Sequence, residues 1–205
     1  MDDGVIKFQI KWEEGAPIDH PVLMDLMYWR ERMYELKLIG FDKRYQVGYG
    51  NISIRIPGSN EFLISGTQTG HIRNLKAVHY TRVVSYDIDR NGLTCVGPVK
   101  ASSESLTHAA IYEADQSIQA IIHIHHDEQW KNLLNKVPTT NETVPYGTPE
   151  MAYEIKRLFS DEAVSQGDII AMAGHQGGLI TFGNTLKEAA QPYLSVFNRG
   201  NQDAL

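Results

Sequence analysis

The stretch SSESLTHAAIYEADQSIQAIIHIHH, residues 102–126, contains the two elements from which we predict the fold. It opens with hydroxyl residues that can cap a helix and continues with helix formers, which predicts a helix over 103–114. The β-branched run IQAIIHIH then predicts a short strand over 118–125. Three histidines fall within the last four positions of AIIHIHH. The strand is therefore expected to bring imidazoles to the edge of the core.

The sequence before this stretch predicts one helix and two hairpins. Apolar residues at steps of three and four, followed by Gly40, predict a helix over 21–39. Alternating isoleucines and a turn predict a hairpin over 49–65, and a second pattern of this kind predicts another over 82–98.

The sequence after it predicts two more helices and a strand pair. Thr148 as a cap, with Pro149 in the first turn, predicts a helix over 148–160. The run 168–183 predicts two strands around a Gly-rich turn, and the capping pair Thr185 and Glu188 predicts a last helix over 185–197. Hairpins mixed with helices, without strict alternation, indicate an α+β layered domain.

Composition limits the class of protein. A chain of 205 residues with 42% hydrophobic content can bury a sizeable core, and no linker or repeat divides it, so we expect one domain over 1–205. A net charge of −6 with scattered Lys and Arg indicates no nucleic-acid partner. Cys95 is the only cysteine, and the first residues do not resemble a secretory signal, so we expect a cytoplasmic protein. No apolar stretch approaches roughly 20 residues, so we expect no membrane partner.

The histidine pair indicates a metal site. Side chains alternate along a strand, so His123 and His125 point the same way while His126 points to the other face. Neutral imidazole is a preferred ligand of zinc and similar divalent ions. A His-x-His pair also occurs at ordinary strand edges. This pair alone is therefore compatible with a metal site and with a strand edge that binds no metal.

Two further residues favour the metal reading. The Gly-rich segment AGHQGG offers His175 as a third imidazole, and Glu104 begins the helix directly upstream of the histidine strand. Three histidines with an open position and a nearby carboxylate are typical of a catalytic metal site rather than a closed structural one. We therefore predict a site for Zn²⁺ or another divalent metal.

A second group of motifs is suited to anions. The segments GYGNIS, SGTQTGHI and ASSES place Gly, amide and hydroxyl residues at turns or helix starts, where backbone N–H groups can hold a phosphate. Each segment taken alone has a simpler reading. Ser102 and Ser103 can be a helix cap, and Thr69 and Gly70 can be a plain turn.

The order of these motifs resembles the class II aldolase/adducin family. The matching pieces are GNISIR, ISGTQTG, SSESLTHAAIY, AIIHIHH, PYGTPEMA and GGLITFGNTLKEA, spread over residues 50–190. The resemblance implies a three-layer α-β-α sandwich around a mixed, largely antiparallel sheet. It also implies a homotetramer with active sites at subunit interfaces.

The resemblance assigns roles to residues of this chain. It makes His123, His125 and a later histidine the zinc ligands, and Glu104 the catalytic acid/base. The residues that match its phosphate-binding pieces are Asn51, Thr69, Gly70, Ser102 and Ser103. Family members usually carry the third histidine directly before the Gly of an HGL motif, whereas here Gly177 stands at that place and His175 lies two residues earlier.

The implied function is that of a metal-dependent aldolase-type lyase. It would cleave a small phosphorylated sugar or a related hydroxy-carbonyl compound through a metal-stabilised enediolate. Glu104 favours the lyases over the epimerase branch, which typically carries Asp there. The alternatives are a sugar-phosphate epimerase or dehydratase of the same family, or a non-catalytic adducin-like interaction domain.

Overall fold

An eight-stranded sheet forms the centre of the structure. The computed structural model describes residues 5–44, 46–165 and 169–200. Within these ranges the strands are β1 (Gln9–Glu14), β2 (Gly40–Asp42), β3 (Val47–Tyr49), β4 (Asn51–Arg55), β5 (Phe62–Ser65), β6 (Tyr80–Asp87), β7 (Gly92–Gly97), β8 (Ala120–His125), β9 (Ile169–Ala171) and β10 (Gly178–Gly183). The α-helices are α1 (Leu23–Glu35), α2 (Ser105–Ala114), α3 (Asp127–Leu133), α4 (Pro149–Ser160) and α5 (Leu186–Gly200).

The order of strands in the main sheet is β1-β7-β6-β5-β4-β8-β10-β9. Strand β1 pairs with β7 in parallel, and the other neighbours in this sheet pair antiparallel. Strands β2 and β3 form a separate two-stranded hairpin. The sheet is thus mixed and largely antiparallel, as predicted.

Two helical layers cover the two faces of the sheet. One hydrophobic cluster joins α2 and α4 to one face and includes Leu106, Ile155 and the strand residue Ile121. The other joins α1 and α5 to the opposite face and includes Leu26 and Ile122. Because Ile121 and Ile122 are neighbours on β8, the alternation of side chains along one strand supplies both cores. The α+β fold class and its three-layer α-β-α arrangement are confirmed.

Most of the predicted elements are present with shifted ends. The two hairpins are β4–β5 and β6–β7, and α4 begins after Thr148, whose hydroxyl accepts a hydrogen bond from the N–H of Met151. The helix predicted over 21–39 is shorter, because it ends at Glu35 and Lys37 adopts a φ of 60°. The strand pair predicted over 168–183 consists of β9 and β10, and residue 168 lies outside the described residues.

Several elements lack a strong local signal in the sequence. These are the parallel edge strand β1, the hairpin of β2 and β3, and the short helix α3. No helix in the described parts of the chain is long and apolar enough to span a membrane.

Candidate metal centre and active site

Two imidazoles come from the end of β8. Ile122 and Ile124 pack into the layer of α1 and α5, so the alternation along the strand directs His123 and His125 to the α2 side. The two ring centroids lie 4.9 Å apart, and the two Nε2 atoms are 3.1 Å apart. The strand therefore presents the two rings side by side, the placement that the His-x-His spacing predicts.

His175 reaches the same point from the turn between β9 and β10. Its N–H donates to the carbonyl of Met172 at 3.1 Å, and its carbonyl accepts from the N–H of Gly178 at 2.9 Å. Gly177 has a φ of +79°, and a Cβ there would lie 2.8 Å from Oδ1 of Asp127. A histidine at 177 would therefore be strained and crowded, and the turn presents the imidazole from 175 instead.

The three imidazoles converge on one point. The ring centroid of His175 lies 5.3 Å from that of His123 and 4.5 Å from that of His125. One nitrogen from each ring can be chosen so that all three lie within 4.8 Å of one another. A Cβ on Gly178 would lie 3.2 Å from both His123 Cε1 and His175 Nδ1, so this close approach depends on a glycine there.

The hydrogen bonding of His123 indicates that its Nε2 carries a lone pair. Nδ1 lies 3.1 Å from the carbonyl oxygen of Leu179, which can only accept, so Nδ1 carries the hydrogen in the neutral ring. Nε2 then faces Nε2 of His125 at 3.1 Å and an oxygen of Glu104 at 2.8 Å. Electron pairs that converge in this way repel one another unless a proton or a cation lies between them.

Glu104 is buried beside the histidines. Its Oε2 lies 2.8 Å from His123 Nε2, and its Oε1 lies 3.2 Å from His175 Nδ1. The side-chain amide of Asn51 donates a hydrogen bond of 2.9 Å to Oε2. Burial raises the pKa of Glu104, but the positive charge and the hydrogen bonds that His123 and His175 offer when protonated outweigh it and hold the pKa well below its ordinary value. The carboxylate is therefore ionised within the cluster.

The donor set fits a divalent metal ion. Burial, together with the neighbouring His175 and His123, lowers the pKa of His125 well below its ordinary value, so its ring is neutral, as a ligand must be. Three nitrogens with an adjacent anionic oxygen match the ligand types of a catalytic zinc site. His123, His125 and His175 would hold the ion.

A cavity opens beside the cluster. Its wall contains the predicted phosphate-binding residues together with the predicted acid/base and two of the histidines: Asn51, Thr69, Gly70, Ser102, Ser103, Glu104, His125 and His175. The described residues that line it include no lysine or arginine. An anion in this cavity would therefore depend on N–H and hydroxyl donors.

Some of these polar groups already have partners. Asn51 donates to Glu104, and the hydroxyl of Thr69 donates to the carbonyl of Gly66 at 2.8 Å. Helix α2 has no side-chain cap, so the capping reading of Ser103 is wrong. The Oγ of Ser102 lies 3.5 Å from the N–H of Glu104, which is a weak bond at most.

Arg30 supports the cavity wall from behind, a role that was not among the sequence-based predictions. It is buried in α1, and its guanidinium donates to the carbonyls of Ile72, Arg73 and Thr69. The buried positions of α1 are Leu23, Leu26, Arg30 and Met33. An arginine at the spacing of the apolar face was the signal that could have identified it.

Tyr146 is a second site residue without a role in the sequence-based predictions. It lies in the motif PYGTPEMA. Its ring stacks on that of His175 with centroids 4.4 Å apart and an interplanar angle of 23°. It also lines the cavity. The contact joins the start of α4 to the turn that carries the third histidine.

The other two histidines near the cluster serve the scaffold. His126 is the N-cap of α3, where its Nδ1 accepts a hydrogen bond from the N–H of Gln129. His108 is fully buried, with Nδ1 2.7 Å from the hydroxyl of Ser53. Burial lowers the pKa of His108 to about 3, so this ring is neutral.

Comparison with solved structures finds the same architecture. An L-fuculose 1-phosphate aldolase matches with a TM-score of 0.66 at 18% identity, over 88% of this chain and 84% of the other. A sugar-phosphate aldolase from Thermotoga maritima matches with a TM-score of 0.62 at 16% identity, over 83% and 88%. The N-terminal class II aldolase domain of a conserved protein from Thermoplasma acidophilum matches with a TM-score of 0.57 at 16% identity, over 92% and 95%. No curated protein matches in a sequence search.

The fold and the cluster define a three-layer α-β-α domain with a histidine-rich site at the edge of its sheet. The family model for the class II aldolase and adducin N-terminal domain matches residues 31–196. The chain therefore belongs to the class II aldolase/adducin family.

Proposed function

We propose that this protein is a metal-dependent aldolase-type lyase that cleaves a small phosphorylated sugar or a related hydroxy-carbonyl compound. The observation that carries the proposal is the contact of one buried carboxylate, Glu104, with His123 at 2.8 Å and His175 at 3.2 Å. Family membership and the fuculose-phosphate aldolase among the structural neighbours support the reaction class.

The metal site of the proposal consists of His123, His125 and His175. A divalent ion bound there supplies a Lewis acid for the carbonyl and hydroxyl oxygens of the substrate. The histidines would bind the ion as neutral rings, and Leu179 holds His123 in the required tautomer through its carbonyl. Zn²⁺ is the ion that this set of nitrogen donors favours.

Glu104 is the proposed acid/base. In the cleavage direction its carboxylate takes the proton of the hydroxyl group β to the carbonyl. The carbon–carbon bond then breaks, the hydroxyl carbon becomes an aldehyde, and the electron pair passes to the α-carbon of the carbonyl half. Glu104 then gives its proton to that carbon, which completes the second product and restores the carboxylate. Asn51 orients the carboxylate for both transfers through its hydrogen bond to Oε2.

The phosphate of the substrate is proposed to bind in the cavity beside Glu104. Asn51, Thr69, Gly70, Ser102 and Ser103 line this cavity. Because the Thr69 hydroxyl donates to the Gly66 carbonyl, the proposed donors are backbone N–H groups, the side-chain amide of Asn51 and the hydroxyls of Ser102 and Ser103. Donors of this kind hold phosphate without a cationic side chain. By resemblance to the family, we also propose that the active protein is a homotetramer, which light scattering can test.

The alternative of a non-catalytic adducin-like domain is disfavoured by the burial of Glu104. Its exposed fraction is 4%, and it lies next to two buried histidines that are 0% and 5% exposed. Burying an ionised carboxylate costs free energy unless it is paired. Binding another protein does not require such a buried cluster, whereas catalysis at a metal requires both the ligands and the carboxylate.

The test combines metal analysis with a substrate screen. The purified protein should contain, or take up, about one divalent ion per chain, as expected for one set of three imidazoles. The loaded protein should release a triose phosphate and an aldehyde in equal amounts from one member of a panel of ketose 1-phosphates. Metal binding without turnover of any hydroxy-carbonyl compound would reject the lyase assignment.

A further inference from the structure

A segment outside the matched family region contributes to the candidate metal centre. The family model begins at residue 31, and Lys7 lies 24 residues before it. The Nζ of Lys7 lies over the ring of Tyr146, 3.9 Å from its centroid. Tyr146 in turn stacks on His175 at 4.4 Å. Three side chains from separate parts of the chain thus form one stack.

One tyrosine ring contacts both other groups. Lys7 lies over the ring at 3.9 Å, and the imidazole of His175 stacks on it at 4.4 Å with an angle of 23°. A cation over one face holds the ring by attraction to its quadrupole.

Lys7 is itself held in place by the backbone around it. Its carbonyl accepts a hydrogen bond of 3.0 Å from the side-chain amide of Asn91, and the N–H of Gln9 donates to the Asn91 carbonyl at 2.8 Å. Phe8, the next residue, is buried in the core of α2 and α4. These contacts fix the backbone at Lys7, from which its partly exposed side chain reaches the Tyr146 ring.

His175 needs such support more than the other two histidines do. His123 and His125 lie on a strand that pairs with neighbours on both sides. His175 lies in the turn between β9 and β10, which contains Gly174 and Gly177, and so its backbone constrains it less than a paired strand would. Groups that contact a metal ligand fix its orientation and contribute to metal affinity.

We propose that Lys7 and Tyr146 are positioning residues for His175, and that the N-terminal segment thereby tunes the metal affinity of the site. This inference rests on the proposed metal centre. Tyr146 supplies the surface on which the imidazole stacks, and Lys7 holds that surface against the turn. Neither residue is a ligand.

The experiment is a Co²⁺ titration of the full-length metal-free protein, followed by the visible absorption of the bound ion. Tyr146→Leu should weaken binding by roughly 10- to 100-fold, the range found when a residue that supports a ligand is lost. It should also change the absorption band, because the orientation of one ligand changes. Tyr146→Phe keeps the ring and should bind Co²⁺ like the parent.

Lys7→Met keeps most of the side-chain length and removes the charge. It should weaken Co²⁺ binding less than Tyr146→Leu but measurably, and Lys7→Arg should restore it. The matched control is Lys11→Met, since Lys11 lies nearby on β1 with a side chain that is 73% exposed. If Tyr146→Leu does not fold, Lys7→Met still tests the inference, because it changes no buried side chain.

The outcomes separate this inference from the proposed function. If the parent binds Co²⁺ tightly and Tyr146→Leu and Lys7→Met bind it equally well with the same spectrum, the positioning role is wrong and the metal centre stands. If the parent binds neither Co²⁺ nor Zn²⁺, the proposed function is wrong and the inference fails with it. Weaker binding with a changed spectrum in both variants, restored by Lys7→Arg, would support it.

Discussion

Asn51 and His123 lie directly opposite each other on the antiparallel strands β4 and β8, and both contact the same oxygen of Glu104. The amide of Asn51 approaches Oε2 at 2.9 Å and Nε2 of His123 approaches it at 2.8 Å. The register of two strands thus places a hydrogen-bond donor and a metal ligand around one carboxylate oxygen. Strand pairing in the centre of the sheet therefore sets the geometry of the candidate site.

We expect Asn51→Ala to destabilise the metal-free protein. The change removes a donor to a buried carboxylate, and hydrogen bonds to charged groups contribute about 1.5–3 kcal/mol. Urea unfolding should show a loss in the free energy of unfolding of this order. Ser59→Ala, which removes two hydrogen bonds of a neutral, partly buried side chain in the turn between β4 and β5, serves as the control and should cost less. An Asn51→Ala variant as stable as the parent would contradict the role of this bond.

Replacing His123 and His125 together by Ala should abolish metal binding. Two of three nitrogen ligands are lost, and the one that remains cannot hold a divalent ion at the same site. Isothermal titration with Zn²⁺ measures the effect. His126→Ala is the matched control, because His126 caps α3 and is not expected to be a ligand. Full metal content in the double variant would show that the site lies elsewhere.

His175→Ala should lower the affinity for Zn²⁺ by orders of magnitude while the protein stays folded. One of three ligands is lost, but the turn lies at the end of two strands whose pairing does not involve its side chain. Circular dichroism and the titration together measure fold and binding. Unchanged affinity would point to Glu104 or a neighbouring subunit as the source of the third ligand.

Gly178→Ala should weaken metal binding without removing any ligand. Its new Cβ would lie 3.0 Å from the carbonyl oxygen of His175 and 3.2 Å from His123 Cε1 and His175 Nδ1, which is tighter than most contacts of this kind, so the two histidines must shift. We expect a fall in Zn²⁺ affinity of roughly tenfold or more, similar to the loss of a supporting group. Gly92→Ala is the control, because the nearest atoms to its Cβ would lie 3.9 Å away. Equal affinities for the two variants would reject the steric account.

The buried His108 should make the free energy of unfolding depend on pH. Burial lowers its pKa from 6.5 to about 3, so the unfolded chain takes up a proton below pH 6.5 that the folded chain does not. Its contribution to stability is therefore lost as the pH falls from 6.5 towards 3. At pH 4 this loss reaches about 3 kcal/mol at most, from 1.36 kcal/mol per pH unit.

His108→Gln should make the loss of stability in acid shallower, because glutamine does not titrate and can still bond to Ser53. Urea unfolding of the metal-free protein at pH 7 and pH 4 measures the difference, and the exposed His71→Gln is the control. The other buried histidines are present in all three proteins, so their titration cancels in the comparison. An unchanged pH dependence in His108→Gln would contradict this account.

Local patterns in the sequence predicted the parts of the site that lie on one element. The period of a strand is enough to bring His123 and His125 together, and the start of a helix is enough to place Glu104 close behind Ser102 and Ser103. The layered fold followed from hairpins and helices of ordinary patterning together with the family motifs. These are short-range features that side-chain spacing determines.

The remaining parts depend on contacts between distant segments. The pairing of Asn51 with His123 requires a register between strands 72 residues apart in sequence, which no local pattern specifies. Arg30 holds the loop of Thr69 only because α1 packs beside it. Tyr146, in the segment before α4, stacks on His175, 29 residues further along the chain. The sequence offered His175 as the third histidine, but not the geometry of the turn through Gly177 that brings it to the other two.

Glu104→Gln separates a catalyst from an interaction domain. The change keeps the size of the side chain and its capacity to hydrogen-bond, but the amide cannot carry a proton between substrate atoms. A positioned acid/base contributes typically 10²- to 10⁴-fold in rate, so kcat on a cleaved substrate should fall within that range. Zn²⁺ binding should largely survive, because the three imidazoles are unchanged.

The control for this variant is Glu113→Gln, on the same helix but at its exposed end, where the carboxylate pairs with Lys156 at 2.8 Å. It should turn over substrate like the parent, because a surface ion pair contributes little. Wild-type turnover by Glu104→Gln on a substrate that the parent cleaves would exclude Glu104 as the acid/base. Glu104→Gln should lose turnover at full metal occupancy, and Glu113→Gln should not. That result would assign the proton transfer to the buried carboxylate of Glu104.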